Sequence, residues 1–274
     1  KISGHYDKYK NDMFNVTSHY SNEEYFLKPM NCPQHTQIFG SEKRSYKDLP
    51  IRIADFSMLY RDEKPGELSG LTRLRSFSQD DSHCFCREDQ LEEEFNKLLD
   101  AIAQVMKTYD MEYSIRLSLR DPRKKINYLG DDKTWEKSQK MLKKLLVQKK
   151  INFLVAEGEA AFYGPKMDLL ACDSLGRSWQ LSTVQLDLNM SQRFGLEYTD
   201  QTGKNCTPIM IHSALVGSPE RMLGVLIEHY SGAFPFWMAK TQIAVATVGK
   251  QNQKYASAVA KELQENNFRV EILD

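Results

Sequence analysis

The sequence predicts an α+β fold: an antiparallel sheet flanked by helices, followed by a truncated α/β segment. Three observations lead there. Six stretches carry β-branched or aromatic residues at period two, the mark of strands. They follow one another as hairpins with helices inserted, not as repeated βαβ units, which favours antiparallel pairing. The pattern then changes near residue 240, where a fresh strand-helix-strand run begins.

Taken in order, residues 49–63 and 72–86 read as long strands. The stretch between them, 64–71 (KPGELSGL), has the proline, glycines and serine of a hairpin loop. Further strands are expected at 112–120, 166–173, 177–188 and 207–215. Residues 88–109 put Leu91, Phe95, Leu98, Leu99, Ile102, Val105 and Met106 on one apolar stripe, so they form a helix. Residues 132–149 form a second, more basic on its outer face. A third spans 218–230, opened by Ser218 as N-cap, Pro219 in the first turn and Glu220 behind it. Beyond Lys240 a strand at 242–249, a helix at 252–266 and a strand at 268–273 follow. Such a unit is too small to bury itself, so residues 1–239 are read as one domain and 240–274 as the incomplete start of another.

Of the 274 residues, 41% are hydrophobic and 27% charged, enough for a substantial core and too apolar for disorder. Lysine plus arginine equals aspartate plus glutamate at 37 each, which excludes a nucleic-acid binder working by net charge alone. No apolar run nears the roughly 18–20 residues of a membrane-crossing helix. The five cysteines are scattered and odd in number, which argues against a disulfide framework. A soluble chain of a reducing compartment is expected, the cytoplasm before an organelle interior.

Absences narrow the chemistry. No G-x-x-x-x-G-K-[ST] loop, G-x-G-x-x-G turn, G-x-S-x-G elbow or H-E-x-x-H helix occurs. A bound nucleotide must therefore be held by arginines and sheet-borne side chains. Arg61 closes one predicted strand, and Arg73 and Arg75 open the return strand on a shared face, so the three would gather across the hairpin. Arg221 lies in the first turn of the helix capped by Ser218, where helix N-terminus and guanidinium both favour anions. Each of these has a plain alternative as solvated or capping charge. Cys32, His83 and His212 are candidate metal ligands. One sulfur and two imidazoles would leave zinc a vacant position, as at a catalytic centre. Their separation along the chain leaves core packing open as the alternative reading. Cys84 and Cys86 alternate with His83 on one strand, face the other way, and read as core thiols.

Together these segments resemble the threonyl-tRNA synthetases, a family of class II aminoacyl-tRNA synthetases, over essentially the whole chain. The resemblance is carried by 4–9 (GHYDKY), 27–33 (LKPMNCP), 49–52 (LPIR), 60–63 (YRDE), 68–75 (LSGLTRLR) and 79–86 (QDDSHCFC). Farther on come 161–166 (AFYGPK), 183–187 (TVQLD), 211–214 (IHSA) and 217–221 (GSPER).

The resemblance implies a class II synthetase-like catalytic domain at 1–239 and the start of an anticodon-binding domain at 240–274. It implies activation of L-threonine with ATP and Mg²⁺ and transfer to tRNA(Thr). It also implies one Zn²⁺ held by Cys32, His83 and His212 and engaging the substrate amine and hydroxyl. Asp81 would accept from that hydroxyl, with Tyr163, Gln185 and Met30 completing the threonine pocket. Arg61 would grip the α-phosphate and reacting carboxylate, Arg221 the γ-phosphate, and Glu63 the adenine amino group. Arg73, Gln79, Lys166, Gln180 and Ser218 complete the ATP set. A site engaging a hydroxyl rejects valine by roughly 10⁴–10⁵ but serine by only about 10–200-fold, so a separate editing activity is expected upstream of this chain. The family is homodimeric, through a strand lying mainly before Lys1. Departures from its usual pattern are Gln34, Lys64-Pro65, Leu181-Ser182 beside the pocket, and Ser213 in place of an arginine after His212. A synthetase-like protein that senses threonine or binds RNA without catalysis, and a zinc-stabilised structural module, are the competing readings.

Overall fold

The structure, a computed structural model, describes residues 2–273. The chain forms two compact units, one ending at Leu226 and the other beginning at Ile227.

Seven strands make the central sheet of the first unit: β1 (Ile51–Asp55), β2 (Asp81–Cys86), β3 (Tyr113–Leu119), β4 (Phe153–Glu157), β5 (Lys166–Cys172), β6 (Ser178–Asp187) and β7 (Ile209–Ala214). Their order is β1-β2-β7-β6-β5-β3-β4, and only β3 and β4 run parallel. The expected antiparallel sheet is therefore present. Register decides what lies on each face. Ile53, His83, His212, Gln185, Lys166 and Ser118 stand opposite one another across six successive strands. Cross-strand partners share a face, so this row brings residues far apart in sequence to one surface.

The opposite face is covered by helices. α1 (Cys32–Gly40) lies on the cleft side, whereas α2 (Leu91–Thr108) and α3 (Asp132–Gln148) pack behind the sheet against β6 and, for α2, β7. The predicted stripe of α2 is in place: Leu91, Phe95, Leu99, Ile102 and Met106 are buried, as are Trp135, Leu142, Leu145 and Leu146 of α3. Each such side chain contributes about 1.5–3 kcal/mol of burial, the main term holding helix to sheet. Cys84 and Cys86 are buried on this helical side, with the Cys84 thiol 3.6 Å from a Glu94 carboxylate oxygen of α2. A helix α4 (Pro219–His229) follows β7, with the Ser218 hydroxyl accepting the Arg221 N–H at its start.

The long predicted strands are interrupted. The stretch 49–63 divides into β1 and Met58–Tyr60, and the latter pairs with Ser76–Ser78 as a separate two-stranded ladder. Ser57 lies between, its hydroxyl donating to Asn31 Oδ1 at 2.9 Å and accepting from Lys28 Nζ at 2.7 Å. Those contacts turn the chain out of the sheet. Residues 72–75 are loop, so the shared strand face proposed for Arg73 and Arg75 does not exist. α1 and the edge strand β4 escaped the sequence reading. In the second unit, strands Ile243–Ala246 and Val270–Leu273 pair in parallel around helix α5 (Gln253–Glu265), whose Ala256 and Ala260 are buried. That is the expected strand-helix-strand unit.

Candidate active site

Cys32, His83 and His212 converge. All three are buried, and one donor atom from each lies within 4.8 Å of the others. β2 and β7 set His83 opposite His212, and the first residue of α1 supplies Cys32 from above. The converging atoms are Cys32 Sγ, 3.4 Å from His212 Nδ1, and His83 Nε2, 3.0 Å from the same nitrogen. The remaining ring nitrogens are occupied: His212 Nε2 meets Asp187 Oδ2 at 2.9 Å, and His83 Nδ1 meets His35 Nδ1 at 2.7 Å. Outer partners of this kind fix ligand tautomer and ring orientation.

The donor chemistry fits a borderline-soft dication. Burial, reinforced by Asp81 and Asp187, pushes the Cys32 thiol well above its ordinary range. A dication beside it is the charge that reverses this. Burial, then the neighbouring His212, His35 and His5, drives His83 well below its ordinary value, leaving the neutral ring that binds metal.

A small cavity of about 80 Å³ adjoins the trio, lined by Met30, Cys32, Asp81, Tyr163, Gln185 and His212 among others. Asp81 opens β2 and accepts the Asn31 N–H at 3.1 Å, while burial raises its carboxyl. The Tyr163 hydroxyl donates to Gln185 Oε1, and its ring stacks on His212 with centroids 4.5 Å apart. Gly164 follows, where a Cβ would collide with the Leu186 carbonyl oxygen. Only glycine brings the Tyr163 loop this close to β6.

A larger cleft of about 770 Å³ shares Met30, Arg61, Gln79, Tyr163, Thr183 and Gln185 with the small cavity. It gathers Glu63, Arg73, Lys166, Gln180, Ser218 and Arg221 as well. The Arg61 guanidinium stands over the Phe77 ring at 5.1 Å and the Tyr9 ring at 5.9 Å. Arg221 Nε donates to the Thr72 carbonyl at 2.8 Å. Arg73 is tied to Glu63 at 2.8 Å. Among the described residues neither Arg61 nor Arg221 makes an ion pair. Burial, then repulsion from Arg61 and Arg73, lowers the Arg221 guanidinium. Like charges held together this way are relieved by an anion. Arg75 does not line the cleft; it turns toward Glu63 O and Asp62.

Several contributors were not foreseen. His35 and Asp187 orient the two histidines. Asp168 has no exposure and accepts from Ser118 at 2.7 Å, Gln180 at 2.8 Å, Arg116 at 3.0 Å and Lys166 at 3.1 Å, which anchors two cleft residues. His35 sits three residues after Cys32, and Asp187 two after Gln185 on the same strand face. Both spacings were available as signals. The departures from the expected pattern leave the trio intact. Leu181 lines the cleft, Ser182 donates to the Leu215 carbonyl, and the Ser213 hydroxyl lies 2.7 Å from that of Ser82.

A model of the tRNA synthetase class II core domain (G, H, P, S and T) matches residues 14–230. The threonine–tRNA ligase of Porphyromonas gingivalis ATCC 33277 is 46% identical over 274 residues, covering 99% of this chain and 42% of that protein. That of Rubrobacter xylanophilus is 47% identical over 273 residues, with the same coverage of each. The chain thus spans 42% of the length of these curated relatives. Among solved structures, the RNA binding domain of threonyl-tRNA synthetase from Cryptosporidium parvum Iowa II is 38% identical with a TM-score of 0.92. The match covers 99% of this chain and 67% of that one.

Proposed function

The chain belongs to the family of class II tRNA synthetase core domains, and from that membership and its paired pockets we propose that it houses the aminoacylation centre of a threonine–tRNA ligase. The observation that carries the reading is the buried Cys32, His83 and His212 trio beside a small cavity that shares Arg61 and Tyr163 with a larger cleft, where among the described residues neither Arg61 nor Arg221 makes an ion pair. Small pocket and large cleft fit an amino acid and ATP with Mg²⁺.

In this reading Asp81 accepts from the threonine hydroxyl, Tyr163 and Gln185 orient the amine, and Met30 bounds the pocket. Cys32, His83 and His212 would hold zinc, which supplies Lewis-acid positions that recognise an amine and a hydroxyl together. Glu63 accepts from the adenine amino group, with Arg73 steadying Glu63. Arg61 holds the α-phosphate beside the threonine carboxylate, and Arg221, with Ser218 at the helix start, holds the γ-phosphate. Gln79, Lys166 and Gln180 complete the nucleotide contacts.

One carboxylate oxygen then attacks the α-phosphorus. An O–P bond forms, the bond to the β-phosphate oxygen breaks, and pyrophosphate leaves with that electron pair. No proton moves, so no general base is required; the guanidiniums stabilise charge growing on the phosphoryl oxygens. A ribose hydroxyl at the 3′ end of tRNA(Thr) next attacks the threonyl carbonyl: the ester C–O bond forms, the C–O bond to the adenylate phosphate breaks, AMP leaves with that electron pair, and the hydroxyl proton passes to the departing phosphate. Residues 240–274 are proposed to begin an anticodon-binding domain, and the cytoplasm is the proposed compartment.

The test is ATP–pyrophosphate exchange by metal-loaded protein with threonine or valine. Threonine-dependent exchange exceeding that with valine by roughly 10⁴-fold is expected, because an unfilled hydroxyl position is costly. Metal-loaded protein that exchanges with neither amino acid would overturn the reading.

A further inference from the structure

Asp80 and Asp81 are adjacent carboxylates at the start of β2, and of the two only Asp81 lines the smaller pocket. Successive side chains at a strand point to opposite sides. Asp80 turns away and takes the backbone before α4. Its Oδ2 accepts from Leu215 N at 2.7 Å and Val216 N at 2.9 Å, and its own N–H donates to Gly217 O at 3.2 Å. All three residues of the turn before Ser218 are thereby held by one residue.

The turn has little freedom to hold itself otherwise. Gly217 has φ +71, and a Cβ there would lie 2.6 Å from the Leu181 carbonyl oxygen. Beyond it, Glu220 accepts Ser78 N at 2.9 Å and the Ser218 hydroxyl at 2.6 Å. A second carboxylate thus ties the same helix start to the Ser76–Ser78 strand. The Arg221 side chain leaves from this doubly tied turn.

We propose that Asp80 is a positioning residue for the nucleotide half of the site, setting the Leu215–Gly217 turn and through it the reach of Arg221 into the cleft. The proposal rests on the ATP-site reading given above. Asp80 touches no substrate; it acts by fixing backbone. Hydrogen bonds to a carboxylate are stronger than those to a neutral acceptor, and their loss strands two amide N–H groups at the root of the phosphate-binding helix.

The test compares Asp80→Ala and Asp80→Asn, the latter keeping an acceptor oxygen without the charge. Asp80→Ala is expected to raise the Kd for ATP with Mg²⁺, measured by calorimetry, and the KM for ATP by about tenfold or more, the loss of one charged hydrogen-bond acceptor. The Kd for threonine measured without ATP should stay within about twofold, because the Asp80 carboxylate bonds the Leu215–Val216 amides and not Asp81 or the trio. Asp80→Asn should recover most of the ATP affinity. Hydrogen exchange of the Leu215 and Val216 amides supplies a second readout, usable even where Asp80→Ala does not fold: protection should fall there first in Asp80→Asn. Unchanged ATP affinity in Asp80→Ala, equal losses for ATP and threonine, or unchanged protection of those amides would each refute the proposal. If the wild type binds ATP but activates no threonine, the functional reading fails while the ATP Kd still decides this one. If the wild type activates threonine and Asp80→Ala matches its ATP affinity, only the role of Asp80 falls.

Discussion

Arg221 shows how a side chain proposed to bind phosphate can be costly to keep and cheap to lose. Its guanidinium is half-buried beside Arg61 and Arg73, and its one strong tie is the 2.8 Å bond to Thr72 O. Removing it forfeits about 1 kcal/mol of hydrogen bonding but relieves like-charge repulsion. Arg221→Ala should therefore shift stability by less than about 1 kcal/mol while raising the KM for ATP and lowering kcat. Thermal melts beside steady-state kinetics check this, and a large drop in melting temperature would contradict it. Gly164 is the opposite case. It bears no chemistry, yet a methyl group there meets the Leu186 carbonyl, and overpacking of that kind costs about 1–3 kcal/mol. Gly164→Ala should destabilise the fold and displace the Tyr163–Gln185 pair, raising the KM for threonine more than that for ATP.

At the scale of elements, the β5–β6 hairpin closes on one carboxylate. Asp173 accepts from Leu175 N and Arg177 N at 2.9 Å each, Arg177 Nε at 2.7 Å and Trp179 Nε1 at 2.9 Å. Burial alone would raise its carboxyl, but the bonds from Trp179 and Arg177 outweigh it and hold it at about 2. The folded value lies below the roughly 3.9 of an unfolded aspartate. The hairpin's stabilisation is thus complete above that value and lost as pH falls toward 2. Between pH 5 and 2.5 the wild type should lose more thermal stability than Asp173→Asn; parallel curves would refute this. Elements were legible where their cause is local. The stripe of α2 and the Ser218 cap of α4 are written within one turn of the residues they govern. The break at Ser57 was hidden because the residues that turn the chain, Lys28 and Asn31, lie in a different element. α1 carries no long apolar stripe to announce it, and its clearest local mark is Pro33 in the first turn. In the site, Cys32, His83 and His212 carried a chemical signature, but Asp80 and Asp168 act through partners that only register reveals.

At the scale of the whole molecule, the question is whether the proposed metal would hold the fold or only read the substrate. In small zinc modules the ligands lie on loops with no other support, and chelation unfolds them. Here His83 and His212 belong to the central strands β2 and β7, paired over five residues and backed by α2. Cys32 begins a helix whose Phe39 stacks on Phe85 of β2 at 4.6 Å. These contacts are made by backbone and by Phe39 and Phe85, not by the ligand atoms, so the fold has support besides an ion. Binding still adds stability by mass action, about 2.7 kcal/mol at a free metal concentration one hundred times Kd. For a chain of this size that corresponds to a melting shift of roughly 5–10 °C. Chelation should therefore lower the thermal midpoint by about that amount and leave the far-ultraviolet circular dichroism at 25 °C unchanged, while abolishing threonine-dependent exchange. Cys32→Ser should behave like the chelated protein and respond little to added zinc. Loss of secondary structure on chelation at 25 °C would make the ion a structural staple and remove the argument that its open positions exist to recognise an amino alcohol.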